Sequence, residues 1–288
     1  MKLLAEILVY GAVQSAVYAL LALGFCLIFG AAGVVNLAHT AFYMVGAYLI
    51  YTFVDLLGVG LYLSLVISVV GVGVIGMIVQ QFFIRPLMKS EMSVMMITLA
   101  IAYFVQELIL SLYGPVDRNV RRFVEAKLTI FGMVDIDSQR MITLAVAVVL
   151  IVLLWLFLNK TKAGKAILAV AQDREGAIFI GINPNRVFLQ VIFISALLAS
   201  IAGAFISPTL GARPHMWEHP LIRCFAVVIL GGLGSLEGAI LAAIIIGYSE
   251  VIVSFAVSSY LGELLAFIII LGVLIKMPSG LMGSETGT

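Results

Sequence analysis

Apolar residues run along the whole chain in long stretches separated by short polar ones. The stretches lie near Leu8–Phe29, Leu37–Val54, Leu61–Phe83, Ser93–Tyr113, Met141–Leu158, Val187–Thr209, Ile222–Leu230, Gly238–Ser254 and Glu263–Lys276. The longer ones approach the roughly 20 residues a helix needs to cross about 30 Å of hydrocarbon, which predicts an all-α, polytopic membrane protein with about eight to ten membrane helices. Leu37–Val54 and the stretch from Ile222 are short or interrupted, which predicts broken helices at both places.

Composition agrees with a lipid environment. The 288 residues are 63% hydrophobic and 11% charged, with a mean hydropathy of +1.21, whereas soluble domains carry about 25% charged residues. The longest hydrophilic segments, Gly114 to Arg140 and Asn159 to Arg186, are loop-sized, so residues 1–288 read as a single transmembrane domain. The first apolar run, Ile7 to Phe29, exceeds the roughly 7–15 residues of a signal-peptide core and is expected to stay as a helix. A formal charge of +1 argues against a nucleic-acid partner.

Orientation follows from lysine and arginine in short loops, which remain on the cytoplasmic side. Arg85 and Lys89 mark one such loop; Lys160, Lys162, Lys165, Arg174 and Arg186 mark another; Lys276 places the C-terminal end with them. The mixed-charge segment holding Asp117, Arg118, Arg121, Arg122, Glu125, Asp135 and Asp137 falls outside. The side of the N-terminus depends on whether Leu37–Val54 crosses fully. Small residues recur four apart in Gly11, Ser15, Ala19; Ser195, Ala199, Gly203, Ser207; Gly234, Gly238, Ala242; and Ala239, Ala243, Gly247. In lipid such ladders let helix backbones approach closely, which predicts a compact bundle or a helix-packed dimer.

Two segments interrupt the helical pattern with glycine and polar groups: residues 30–46, GAAGVVNLAHTAFYMVG, and residues 231–238, GGLGSLEG. Non-helical backbone at membrane depth is tolerated only where protein buries it or water reaches it, so each break points to a cavity or pore lining. Asn36, His39, Thr40, Tyr43 and Gly46 in the first, and Gly231, Gly232, Gly234, Ser235, Glu237 and Gly238 in the second, are the candidate pathway residues. Asn36, Thr40 and Tyr43 fall on one face of a helix; they either line the path or cap and glue the second helix. Glu107, Glu237 and Glu250 sit near span ends. Glu107 and Glu250 read as structurally paired, with Arg223 as the candidate partner, and Glu237, directly after the glycine-rich break, is a candidate for gating.

Some motifs exclude chemistry. His215-Met-Trp-Glu-His219 has the H-x-x-E-H order of a zinc peptidase family, but Pro214 and Pro220 bracket it in a short outer loop and no third ligand is evident, so no metal site is expected. Trp217 is expected at the membrane interface. Gly164-Lys165 is followed by Ala166 and lacks the upstream glycine of a phosphate loop, so nucleotide energy must come from another chain. Cys26 and Cys224 lie in apolar runs and read as packing residues. No catalytic residue and no cofactor is expected.

The inner loop, residues 159–186, is the most informative segment. Ile167–Ile180 interleaves alanine and aliphatic residues with one polar cluster, Gln172 to Glu175, which predicts a single short helix along the cytoplasmic face. Gly181 can end it and Asn183-Pro184 turns the chain back to the membrane. Such a helix either docks another protein or caps the bundle.

At this loop the chain resembles the permease subunits of ATP-binding-cassette importers, specifically the high-affinity branched-chain amino-acid family of the LivH type. The likeness covers nearly the whole length. It rests on Asn36-Leu-Ala-His39 with Tyr43-Met-Val-Gly46, Arg85-Pro86, Gly164 to Val187 with Gly181-Ile-Asn183, Leu230-Gly-Gly-Leu-Gly-Ser235 with Gly238, and Met277-Pro-Ser-Gly280, all in the family's order and spacing. The resemblance implies an importer permease fold in a bacterial or archaeal cytoplasmic membrane. It further implies that Gln172 to Ile182 form a coupling helix gripped by a separate ATPase, with Gly164, Gln172, Asp173, Glu175, Ala177, Gly181 and Ile182 as coupling residues. Two ATPase subunits, a second permease subunit and an external solute-binding protein are implied as partners. Isoleucine, leucine and valine are the implied cargo; another amino acid, urea or a short amide is the alternative. At the position where the family often has lysine before the last glycine-rich motif, this chain has Arg223. A secondary transporter driven by an ion gradient is the rival reading, and it would want a carboxylate near mid-membrane. A non-transporting scaffold is the other, and it would need neither helix breaks nor a docking helix.

Overall fold

The computed structural model describes residues 2–130, 134–276 and 280–282. The helices are α1 (Lys2–Ala32), α2 (His39–Tyr51), α3 (Leu61–Val79), α4 (Glu91–Tyr113), α5 (Ser138–Lys160), α6 (Lys162–Gln172), α7 (Arg174–Phe179), α8 (Pro184–Leu210), α9 (Glu218–Gly231), α10 (Leu236–Ala256) and α11 (Ser259–Lys276). Nine of these correspond in order to the nine apolar stretches; α6 and α7 are the inner loop. A wide turn at Thr52–Leu56 extends α2, and another at Gln80–Ile84 extends α3 towards Arg85–Leu87. A short hairpin, β1 (Lys127–Ile130) with antiparallel β2 (Val134–Asp137), adds a minor element to this all-α fold.

Among the described residues, six helices are long and apolar enough to cross a membrane: Leu3–Ala32, Leu61–Leu87, Glu91–Tyr113, Ser138–Lys160, Pro184–Leu210 and Leu236–Ala256. Helix α9, with 14 residues, extends only about 20 Å at roughly 1.5 Å per residue, short of the hydrocarbon thickness, and α2 has 13 residues before its wide turn. Within its most apolar window α1 is 83% buried and α8 67%, whereas α5 is 22% buried. The protein therefore has α1 and α8 at its centre, apolar on every side, and turns the outer faces of α3, α4 and α5 to lipid.

Small residues fix how closely the helices approach. A methyl group on Gly247 of α10 would strike the backbone of Ser15 in α1, and one on Gly11 would strike the ring of Tyr248. Likewise Gly46 of α2 faces the backbone of Ser200 in α8, and Gly203 of α8 faces the carbonyl oxygen of Tyr43. The ladders are thus used inside one chain, gaining dispersion contacts where no hydrophobic drive exists. Pro208 interrupts the hydrogen-bond ladder of α8. The Ser207 hydroxyl donates to the buried Ala204 carbonyl, which the proline leaves without its helical donor, at 3.2 Å, and Gln139 and Thr143 of α5 donate to that of Phe205 at 2.9 and 3.1 Å.

The two ends of the bundle are set by contacts. At one, Gly30 near the end of α1 faces Gly234 and Ala171 of α6, on the side of the lysine-rich loops, the end that the positive-charge rule assigns to the cytoplasm. At the other, Arg118 and Ala212 pair through their backbones and Arg213 binds Asp117 at 2.8 Å. Because α1 packs antiparallel to α10, with Ser15 at Gly247 and Gly30 at Gly234, the start of α1 lies at the other, outer end.

Candidate functional site

Helix α1 ends inside at Ala32, where Gly33 at φ +66° reverses the chain. Residues 34–38 then climb back through the protein, and α2 starts at His39, level with Leu21 and Gly24 of α1. This irregular stretch is buried by protein, as membrane depth demands. Asn36 precedes the helix and does not share a face with Thr40 and Tyr43; its Oδ1 accepts from the Ala38 amide at 3.0 Å and so shapes the entry into α2. Thr98 of α4 steadies the same stretch, its hydroxyl accepting from the Leu37 amide at 3.1 Å.

His39 is fully buried. Its Nε2 lies 3.0 Å from the Leu21 carbonyl oxygen and its Nδ1 3.1 Å from the Ser195 hydroxyl, which donates to the Gly24 carbonyl at 2.7 Å. One imidazole thereby ties the start of α2 to both central helices. Thr40 is equally buried, and Gly46 lies in the α2–α8 crossing.

At the second break α9 ends at Gly231, and Gly232 at φ +100° and Gly234 at φ +85° turn the chain. Ser235 caps α10, its hydroxyl accepting from the Gly238 amide at 3.1 Å. Gly231 and Gly238 meet backbone to backbone, leaving no room for a side chain at either. The amides of Leu281 and Met282 donate to the carbonyls of Leu230 and Gly231 at 2.7 and 3.0 Å, so the C-terminal segment closes over the turn. Glu237 is exposed at this inner end, beside a groove shared with Trp155 and Asn159 of α5.

The inner loop corrects the sequence reading in one respect: two helices replace one over Ile167–Ile180. Asp173, extended at φ −150° and ψ 102°, separates them and caps α7 by accepting from the Gly176 amide at 3.0 Å. Its carboxylate offers the chain a cap that outcompetes helix continuation. Upstream, Gly164 packs directly on the backbone of Phe157 and Leu158, which folds α6 back against α5. Gly181 at φ +87° ends α7, with the Ile182 amide donating to the Ala177 carbonyl at 3.0 Å. Ala177 is buried beneath α7, whereas Gln172, Asp173, Glu175 and Gly181 are exposed and Ile182 is half-buried. Phe179 is 89% and Ile180 74% exposed.

From the outer side a cavity of about 470 Å³ enters between α1, α2, α8 and α9, with Asp117, Arg213 and His215 at its mouth and Leu21 and Tyr43 at its floor. Of the sequence-predicted pathway residues, Tyr43 lines it; the others lie in the helix packing below or at the inner end. Gln14, Tyr18 and Arg223 line its wall. Gln14 and Tyr18 escaped the sequence reading, although a polar pair four apart inside an apolar run was the available signal. Arg223 does meet Glu250: its Nη2 and Nε donate to the carboxylate at 2.7 and 3.1 Å, and the Tyr18 hydroxyl donates to the same carboxylate at 2.6 Å.

Two other expectations change. Trp217 is 2% exposed and faces the protein interior instead of a lipid–water boundary, because the buried Gln106 accepts from its indole N–H at 2.7 Å. Glu107 is exposed on α4 and lies 3.3 Å from the amide of its neighbour Gln106, while Arg223 is committed to Glu250. His215 reaches Glu218 at 3.4 Å, and the described residues contain no cluster of three or more histidine, cysteine, aspartate or glutamate side chains suited to a metal.

A multi-helix bundle with a cavity open at one end, two glycine-broken helices and a short helix pair at the other end has the architecture of a membrane permease. The sequence profile of the family described as the branched-chain amino acid transport system permease component matches residues 7–274, and the chain belongs to that family of ATP-binding-cassette importer permeases. It is 26% identical to the high-affinity branched-chain amino acid transport system permease protein LivH of Salmonella typhimurium, covering 95% of this chain and 93% of the relative. It is 29% identical to a probable LivH of Methanocaldococcus jannaschii, over 95% and 90% of the two chains. Its fold is shared with a chain of PsaBC from Streptococcus pneumoniae in complex with Fab, at a TM-score of 0.55 and 14% identity over 95% and 92% of the two. It is a multi-pass protein of the cytoplasmic membrane.

Proposed function

We propose that this chain forms half of the translocation pathway of an ATP-driven importer of branched-chain amino acids, and that α6 and α7 are the handle through which separate ATPase subunits move it. The observation that carries this reading is the exposed apolar tip of α7. Phe179 and Ile180 stand clear of the protein on the cytoplasmic side, held by a capped helix at one end and a glycine turn at the other. An apolar tip of this kind, rimmed by Asp173, Arg174 and Glu175, suits a groove on a partner protein.

The handle touches the moving parts. A methyl on Gly30 would lie 3.7 Å from the Ala171 Cβ and 3.9 Å from Gly234, so α6, the end of α1 and the second break meet at one point. A pull on α6 therefore reaches both breaks through direct packing. A second permease chain completes the pathway, and an external solute-binding protein delivers cargo to the outer mouth. The chain itself makes and breaks no bonds. The ion-driven alternative lacks support, because the one intramembrane carboxylate among the described buried residues, Glu250, is neutralised by Arg223.

Leucine uptake into vesicles carrying the assembled transporter is expected to persist when ion gradients are collapsed and to stop when ATP is removed. Uptake that follows an ion gradient with this chain alone contradicts the proposal.

A further inference from the structure

The charges around the outer cavity fall into two tiers. At the mouth, Arg213 pairs with Asp117 at side-chain exposures of 58% and 52%, and His215 with Glu218 at 60% and 44%; such pairs are solvated and contribute little. Deeper in, Arg223 and Glu250 pair at exposures of 10% and 12%. The fork of Arg223 reaches both carboxylate oxygens, and its Nη1 donates to the His219 carbonyl at 3.3 Å. Tyr18 bridges from the cavity wall to Glu250, and Gln14 donates to the Tyr18 hydroxyl at 2.6 Å. Arg223, Tyr18 and Gln14 all line the cavity, and Glu250 lies directly behind them.

A buried ion pair is a poor way to hold helices together, since apolar side chains of the same volume often do so as well or better. Placed on the wall of a solute pathway, however, it offers one positive and one negative group in a region of low dielectric. We infer that Arg223 and Glu250 form a transit site for α-amino-acid zwitterions, which interpose between the two side chains. The cargo carboxylate takes the place of Glu250 on the Arg223 fork, and the released Glu250 accepts from the cargo ammonium. Charge is conserved at every stage. A solute with a net charge leaves one charge uncompensated in low dielectric, and an uncharged amide gives no return for parting the pair. The planar guanidinium matches a carboxylate through two parallel hydrogen bonds, whichever carboxylate it is. The inference rests on the amino-acid import proposed above and adds which chemical group of the cargo is read inside the membrane.

The test is binding of radiolabelled leucine, glycine, glutamate, lysine and acetamide to the full chain in lipid nanodiscs. The wild type is expected to bind the zwitterions above the other three. Glu250→Gln is expected to shift preference towards glutamate and Arg223→Gln towards lysine, each by about tenfold, the effect of about 1.4 kcal/mol. The charge-free double substitution Arg223→Gln/Glu250→Gln keeps the helices joined should a single variant fail to fold, and is expected to lose zwitterion binding by about tenfold or more. A double variant that binds leucine like the wild type overturns the inference, as does a wild type that binds no zwitterion or prefers acetamide. Glycine bound in preference to leucine supports the site and counts against branched-chain cargo.

Discussion

Replacing Gly181 with arginine is expected to leave the protein in the membrane and to reduce ATP-driven leucine uptake to background. Gly181 sits at φ +87° just past Ile180, the C-cap of α7, a conformation that costs a side-chain-bearing residue roughly 1–2 kcal/mol. Relief of that strain would swing Phe179 and Ile180 out of the position set by the Ile182 to Ala177 bond. Loss of one well-seated aromatic anchor weakens an interface by about 2 kcal/mol or more, some thirtyfold. Asp173→Lys acts on the same helix from its other end, because it removes the carboxylate that accepts from the Gly176 amide and places a cation at a helix N-terminus. Membrane content by immunoblot, set against uptake, separates uncoupling from misfolding. Normal transport by either variant removes α7 from the coupling role.

The second large effect concerns stability. Gly203→Ala is expected to destabilise the bundle by about 1–3 kcal/mol, the usual cost of overpacking, whereas Gly30→Ala is expected to stay within about 0.5 kcal/mol. Both add one methyl group to a small residue between packed helices. At Gly203 the methyl meets the backbone carbonyl of Tyr43, which cannot move without displacing α2, while at Gly30 it meets the Ala171 methyl at 3.7 Å, an ordinary contact. Thermal unfolding in detergent, followed by the fluorescence of buried Trp217, reads the difference. Equal midpoints for the two variants contradict the described α2–α8 crossing.

These contrasts also mark what was legible in the sequence. The long helices were, because lipid demands a minimum apolar length and that length is read directly from the sequence. Ser93–Tyr113 became Glu91–Tyr113, and Val187–Thr209 became Pro184–Leu210, its start fixed by Asn183 and Pro184. Both helix breaks were legible from their glycines. The split of the inner loop was not, because the alanine-rich residues 166–171 carry the helical pattern up to Asp173 and only the cap that it makes decides. Trp217 was misplaced because an apolar body with one polar handle suits the interface in general, while its actual partner, Gln106, lies 111 residues away in sequence. The cavity was illegible for the same reason. Gln14, Tyr18, Tyr43 and Arg223 come from three helices and acquire a common purpose only when those helices pack.

The exposed tip of α7 leads to the most direct measurement. A photo-crosslinking residue placed at position 179 in living cells is expected to capture a cytoplasmic protein that carries a G-x-x-x-x-G-K-[ST] phosphate loop. Capture of lipid alone, or of a protein from the outer side, would contradict the account.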